Sequence, residues 1–176
     1  MNGVKVIGGD EALESIYQSG CRLAFISIGS VGDPSIRLKI WKQLKTIGFE
    51  LAKVIHPAAV VAESVAIEAG TFIAAGVVLG PGTKIGENVI INTNSSVDHD
   101  CQIGAYVHIA PGVNISGGVT IGDYSHIGVG ASIIECKNVG AKTIIGAGSV
   151  VISDIPASSK AFGMPCKVVG VNDAQK

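Results

Sequence analysis

Of the four histidines in this chain, His56, His99, His108 and His126, one stands in a setting suited to proton transfer. His99 lies in the run Val97-Asp98-His99-Asp100, an imidazole flanked by two carboxylates. A neighbouring carboxylate favours the imidazolium and lifts the pKa above about 6.5, which makes the ring a stronger base. Either acid can be the partner: Asp98 or Asp100, the latter at a position where a short polar side chain also serves a tight backbone corner. The other spacings, 43 residues from His56 to His99, 9 on to His108 and 18 on to His126, do not suggest ligands converging on one ion, and no metal is expected.

What must position His99 is an internal repeat. From Ile55 to Val151 every sixth residue is Ile, Val or Leu without a break, seventeen in succession. Four residues after each lies a small one (Val65, Thr71, Val77, Thr83, Val89, Ser95, Cys101), with Lys137 and Ile155 as exceptions. Three residues after each, from Ala58 to Gly148, ten of sixteen residues are Gly, Asn or Asp, the types that enter left-handed backbone most readily. Short strand, corner, short strand is the pattern of a parallel β-solenoid whose backbone pairs with the coils above and below. His99, two positions past an inward aliphatic and beside a corner, should point outward.

Composition agrees with a thin structure filled by branched aliphatics. The 176 residues include 24 Gly, 47% apolar residues, 5% aromatics and 15% charged residues, with a net charge of −1. Near-neutral charge with scattered Lys and Arg leaves no electrostatic footprint for nucleic acid or an anionic membrane. The longest apolar stretch, around Phe72 to Leu79, is far short of the roughly 20 residues of a spanning helix, so a cytoplasmic location is expected. Cys21, Cys101, Cys136 and Cys166 lie far apart with no CxxC, which suggests neither disulfides nor a zinc knuckle.

Residues 1–54 follow a different pattern. Val4 to Ile7 reads as a short strand and Asp10 as the cap of a helix through about Gln18, followed by Arg22 to Ile28 as a buried strand. Asp33-Pro34 opens a second helix through about Ile47, with Ile36, Ile40, Leu44 and Ile47 on one face and Gly48 closing it. Phe49 to Ile55 leads into the first hexad as a strand. Alternating strands and helices describe a piece of a parallel α/β sheet.

The hexads resemble the hexapeptide repeat of left-handed parallel β-helix acyltransferases, in which three hexads close one triangular coil. Seventeen hexads then make between five and six coils, and a column along one face is spaced by eighteen residues. With the preceding α/β segment, the chain looks like the sugar O- or N-acetyltransferases, a family that includes sialic acid O-acetyltransferases and enzymes acetylating nucleotide-linked 4-amino sugars. The stretches carrying the likeness are "GGDEAL", "AFISIG", "IHPAA", "NTNSSVDHDCQIGAYVHIAPG" and "GMPCKVVG". The fold implied is mainly β: a truncated Rossmann-like segment at 1–54 for sugar binding, the left-handed β-helix at 55–155, and a tail at 156–176 packing on it. Members usually begin about fifty residues earlier with a glycine-rich loop whose following helix N-terminus holds nucleotide-sugar phosphates. Gly8-Gly9 and Gly29-Ser30 form no such loop, so a chain lacking that start is expected.

The resemblance also assigns roles. It implies His99 as general base, Asp100 as the acid that strengthens it, and His108 as a contact to acetyl-CoA. Gly117 is the backbone donor for the oxyanion, Val129 and Ala147 line the pantetheine arm, the tail around Gly163, Pro165 and Lys167 lies near the coenzyme end, and Asn92 contacts the sugar. Nine residues are half a coil, so His99 and His108 lie on different sides of one subunit and share a site only across an interface, as in the homotrimer the family implies. His126, one coil above His108, and His56 at the junction are expected to be a surface residue and a structural one. The alternative function is a β-helix protein, non-catalytic or with a different acceptor, that has lost its sugar site. A γ-carbonic anhydrase-like zinc enzyme does not fit the histidine spacing, and an ice-binding solenoid would show a Thr ladder that is absent. Serine and xenobiotic acetyltransferases lack the α/β piece.

Overall fold

The computed structural model describes residues 3–173. A 3-10 turn at Asp10–Ala12 runs into α1 (Leu13–Gln18), followed by β1 (Leu23–Ala24), α2 (Ser35–Ile47) and β2 (Glu50–Leu51). β1 and β2 pair in parallel, Leu23 with Glu50 and Ala24 with Leu51, so α2 is the crossover of a single β-α-β unit. Its small core joins Ile26, Leu44, Phe49 and Leu51 to Leu13, Ile16, Tyr17, Ile40 and Trp41. Gly48 ends α2 in the left-handed region at φ 110° and stands against the Tyr17 ring, where a Cβ would meet the hydroxyl at 2.8 Å.

This unit departs from the sequence expectations in four places. Val4 to Ile7 form no strand and are exposed, because β1 pairs on one side only and no described residue extends its other edge. Asp10 is the first residue of the turn rather than its cap; the Gly9 N–H donates instead to the Glu11 carboxylate at 2.9 Å. The expected strand Arg22 to Ile28 shrinks to two residues, with Leu23 60% exposed and Ile26 buried. Ile36 is 62% exposed, since α2 turns Arg37 and Leu44 inward, with Ile40 and Trp41 packed against the same core.

The solenoid is built of seventeen two-residue strands, β3 (Val54–Ile55) to β19 (Val150–Val151), one beginning every sixth residue. Each as far as Ser132–Ile133 pairs in parallel with the strand three further on, as when Ser96 faces Asn114 and His108 faces His126, so residues eighteen apart stack. Three sheets result, one of six strands from β4 (Val60–Val61) to β19, one of five from β5 (Ala66–Ile67) to β17 (Asn138–Val139) and one of eight that begins at β3. Three strands per turn gives between five and six coils of parallel β-solenoid.

From Ile73 to Val151 the second residue of every strand is at most 3% exposed, which forms one continuous core. Burying each of these aliphatics contributes roughly 1.5–3 kcal/mol. Ile55 is 44% exposed and Val61 and Ile67 half-buried, because the first coil has a neighbour on one side only. Thr71, Thr83, Ser95 and Ser125 in the small inward column donate their hydroxyls to a carbonyl fifteen residues on, as Thr71 does to Gly86 at 2.8 Å and Ser95 to Ala110 at 2.9 Å, while Thr143 reaches the Pro156 carbonyl and Ser149 accepts the Gly163 N–H. The buried hydroxyls are thereby satisfied and join successive coils.

Fourteen successive corners, from Gly70 to Gly148, have positive φ. Tyr106, Tyr124, Cys136 and Lys142 occupy four of them although none is a residue type that favours this backbone. The tail adds β20 (Ser159–Phe162), parallel to β18 (Ile144–Ile145), and β21 (Lys167–Val171), antiparallel to β20. Residues 1, 2 and 174–176 of the expected first and last units lie outside the described residues. No described helix is long and apolar enough to cross a membrane.

The β-α-β unit rests on the eight-stranded face. Arg37, 2% exposed, donates from Nη2 to the Asn88 carbonyl at 2.7 Å and from Nη1 to Ile28 at 3.2 Å, while Trp41 meets Tyr106 edge to face at 6.3 Å. One arginine thus ties a solenoid corner to the loop before α2.

Candidate active site

His99 stands on the corner that follows β10 (Ser96–Val97), between the six- and five-stranded sheets. Its Nδ1 lies 3.0 Å from Asp100 Oδ2. A carboxylate only accepts, so the proton sits on Nδ1 and the neutral ring keeps its lone pair on Nε2. Asp98 has a different task, because its Oδ1 accepts the His99 backbone N–H at 2.8 Å. The Asp100 hydrogen bond holds the imidazole pKa above its ordinary value, and the Asp98 charge adds to this. Asp100 also sits in the left-handed region, φ 58°, and so serves corner and ring together.

Gly117 lies one coil above His99, and a Cβ on it would stand 2.4 Å from His99 Nε2 and 2.6 Å from Cε1. The missing side chain is therefore what lets the imidazole lie against the next coil. The Gly117 N–H meets no acceptor among the described residues, which leaves a backbone donor beside the basic nitrogen. Residues that the sequence did not single out hold this corner. Thr83 Oγ1 donates to the Asp98 carbonyl at 2.7 Å and accepts from the Cys101 N–H at 3.1 Å, and Gly80 lies under His99 N, 2.6 Å from where its Cβ would be. Their signal was present in the small-residue column and in the eighteen-residue spacing from Gly80 to Asp98.

The other expected site residues lie elsewhere on the prism. Asn92 follows β9 (Ile90–Ile91), Val129 follows β15 (His126–Ile127), and Ala147 follows β18, all on the edge between the eight- and six-stranded sheets. Val129 is 55% exposed, and Asn92 turns its Oδ1 to the Thr93 N–H at 2.8 Å. His56 accepts the Ala58 N–H on Nδ1 at 3.1 Å. Residues 163–166 form the turn between β20 and β21, with Cys166 buried, and Lys167 opens β21.

His108 and His126 open β12 (His108–Ile109) and β15 on the eight-stranded face, away from His99. Both are buried beneath the loop before α2, where His108 Nδ1 donates to the Ser30 carbonyl, which corrects the expectation of His126 as a surface residue. The rings meet edge to face at 4.9 Å. Burial pushes both pKa values down, His126 to about 4 with the nearby His108 adding to the effect. His108 Nε2 and His126 Nδ1 have no partner among the described residues. Among those residues no three His, Cys, Asp or Glu side chains converge as metal ligands.

Residues 82–117, the coils that hold His99 and Gly117, match the family described as bacterial transferase hexapeptide (six repeats). The structure of PerB from Caulobacter crescentus in complex with CoA and GDP-perosamine superposes with a TM-score of 0.90 and 42% identity, covering 96% of this chain and 80% of that one. The chain belongs to the hexapeptide-repeat sugar acetyltransferases. A second structure of this family, the acetyltransferase domain of PglB from Neisseria gonorrhoeae FA1090 in complex with acetyl coenzyme A, gives a TM-score of 0.85 at 37% identity, over 96% of this chain and 80% of that one. Among curated proteins, the GDP-perosamine N-acetyltransferase of Escherichia coli O157:H7 is 36% identical over 88 residues, a match spanning 50% of this chain and 40% of the length of that relative.

Proposed function

We propose that this protein transfers the acetyl group of acetyl-CoA to the amine of a nucleotide-linked 4-amino sugar. The observation that carries the reading is the set at one prism edge, with the His99 ring oriented by Asp100, its bare Nε2 against Gly117, and a free N–H there. His99 takes a proton from the acceptor nitrogen as that nitrogen attacks the thioester carbonyl. The Gly117 N–H receives the developing oxyanion, and the C–S bond breaks to release coenzyme A. General base catalysis supplies about 10²–10⁴-fold, with positioning and the backbone donor adding the rest.

The His99 set lies on one prism edge and Asn92, Val129 and Ala147 on another, which favours a homotrimer of left-handed β-helices, the hand the resemblance implies, in which the first edge of one copy meets the second edge of the next. Val129 and Ala147 present exposed backbone to the pantetheine arm, and Asn92 faces the sugar. His108, with Nε2 unpartnered among the described residues, is the coenzyme contact by its match to the family position. The β-α-β unit within 1–54 is a Rossmann-like sugar-binding segment, 55–155 the acyltransferase unit, and the described tail from 156 packs on it. The reaction belongs to the cytoplasm, where acetyl-CoA and nucleotide sugars are made.

The test is coenzyme A release from acetyl-CoA over GDP- and UDP-linked 4-amino sugars and sialic acid. Turnover with a nucleotide-linked amino sugar and not with sialic acid supports the reading, and preference for sialic acid overturns its acceptor.

A further inference from the structure

Beside His99 the six-stranded face carries a shallow groove lined by Val78, Gly80, Ser96, Asp98, Asn114 and Ser116. Asp98 is the one ionisable side chain in that lining. Its carbonyl is held by Thr83 and its Oδ1 by the His99 N–H, which fixes the carboxylate at the head of the groove. Asp98 Oδ2 is left without a partner, and no cationic side chain among the described residues pairs with it. The strands on either side, β7 (Val78–Leu79) and β13 (Asn114–Ile115), bring only apolar, hydroxyl and amide groups to the groove. Asp100, the other nearby carboxylate, is engaged by the imidazole.

An alkyl amine in solution near neutral pH is largely an ammonium, whereas a sugar hydroxyl is neutral. A fixed carboxylate one residue from the base therefore distinguishes the two before any chemistry occurs. We propose that Asp98 Oδ2 binds the ammonium of the acceptor in this groove and thereby selects an amino sugar over its hydroxyl counterpart. The proposal rests on the acetyltransferase reading and assigns that site its specificity residue.

The proton count closes without a further reactant. Neutral His99 takes one proton from the bound ammonium, and the freed lone pair forms the N–C bond to the thioester carbon. The C–S pair leaves with sulfur as the intermediate collapses, the surplus proton on nitrogen goes to the departing thiolate, and the His99 proton goes to solvent. Asp98 remains a carboxylate throughout.

The experiment is steady-state kinetics of the full chain and its Asp98→Asn variant with acetyl-CoA and GDP-perosamine. Asn keeps an oxygen for the His99 N–H, so the corner and the thermal midpoint are retained while the charge is lost. A charge-assisted contact predicts an acceptor KM raised about tenfold with the acetyl-CoA KM unchanged, while the acid limb of kcat moves to lower pH because the Asp98 charge also supports the imidazole. Inhibition by the same nucleotide sugar bearing a 4-hydroxyl should be equal for both proteins. An unchanged acceptor KM, or a fall in kcat alone, overturns the proposal and leaves Asp98 as a corner residue. Absence of turnover in the unsubstituted chain is a separate result that overturns the acetyltransferase reading and this proposal with it.

Discussion

Gly117 and His99 are in contact across successive coils: the glycine Cα faces the imidazole, and a methyl group there would stand 2.4 Å from Nε2. The pair joins the basic nitrogen to a free backbone N–H. Gly117→Ala should displace the ring, which is the end of an exposed side chain and can move aside at small cost in stability. We expect kcat to fall at least tenfold with the thermal midpoint nearly unchanged. Wild-type turnover in the alanine variant would separate the two residues functionally.

Asp100 tunes the base. Asn tolerates the left-handed corner, so Asp100→Asn removes charge without straining the backbone. The active form of His99 is neutral, so activity rises with pH through the elevated imidazole pKa. Loss of the Asp100 carboxylate lowers that pKa, moves the acid limb of the kcat profile to lower pH and reduces the plateau about tenfold. A pH profile of the variant that overlies the wild type would remove Asp100 from this role.

The buried pair His108 and His126 predicts acid sensitivity. Their folded-state pKa values lie below the ordinary value near 6.5, that of His126 at about 4. Below about pH 6.5 the unfolded chain takes up protons first, so the stability present above that pH is lost as pH falls toward 4. The thermal midpoint should drop between pH 7.5 and 5, and His126→Leu, which cannot titrate, should drop less. Equal losses in both proteins would contradict this.

Thr83 bridges two coils beneath the catalytic corner. Thr83→Val keeps the shape and deletes the hydroxyl, which leaves the Asp98 carbonyl and the Cys101 N–H short of partners. The expected cost is about 1–3 kcal/mol in chemical unfolding, accompanied by reduced turnover. Unfolding at the wild-type denaturant midpoint would show the hydroxyl to be dispensable.

The periodic part of this fold could be read from the sequence because one rule repeats. An aliphatic every sixth residue has no other use than a solenoid core, and the corner position three residues later was visible wherever Gly, Asn or Asp filled it. Tyr106, Tyr124, Cys136 and Lys142 take the same positive φ because pairing with coils above and below imposes it, so their own types carry no signal. The first fifty residues were read less well. Their strands are two residues long and their helix face is set by what it packs on, so Arg37 rather than Ile36 turns inward. His126 was expected at the surface because what covers the pair, the loop at Ser30, is 78 residues away in sequence from His108. The Asp-His-Asp context together with its resemblance to the family motif put His99 forward, and the coordinates separate the two acids, Asp98 accepting the His99 N–H and Asp100 facing its ring.

The most direct test of the central claim is coenzyme A release from acetyl-CoA and GDP-perosamine by the wild-type chain and by His99→Ala. The account predicts measurable turnover in the first, a loss of at least about 10²-fold in the second, and acetyl-CoA binding retained by both. Turnover in the alanine variant equal to the wild type would contradict it, since the proton would then leave the acceptor by another route.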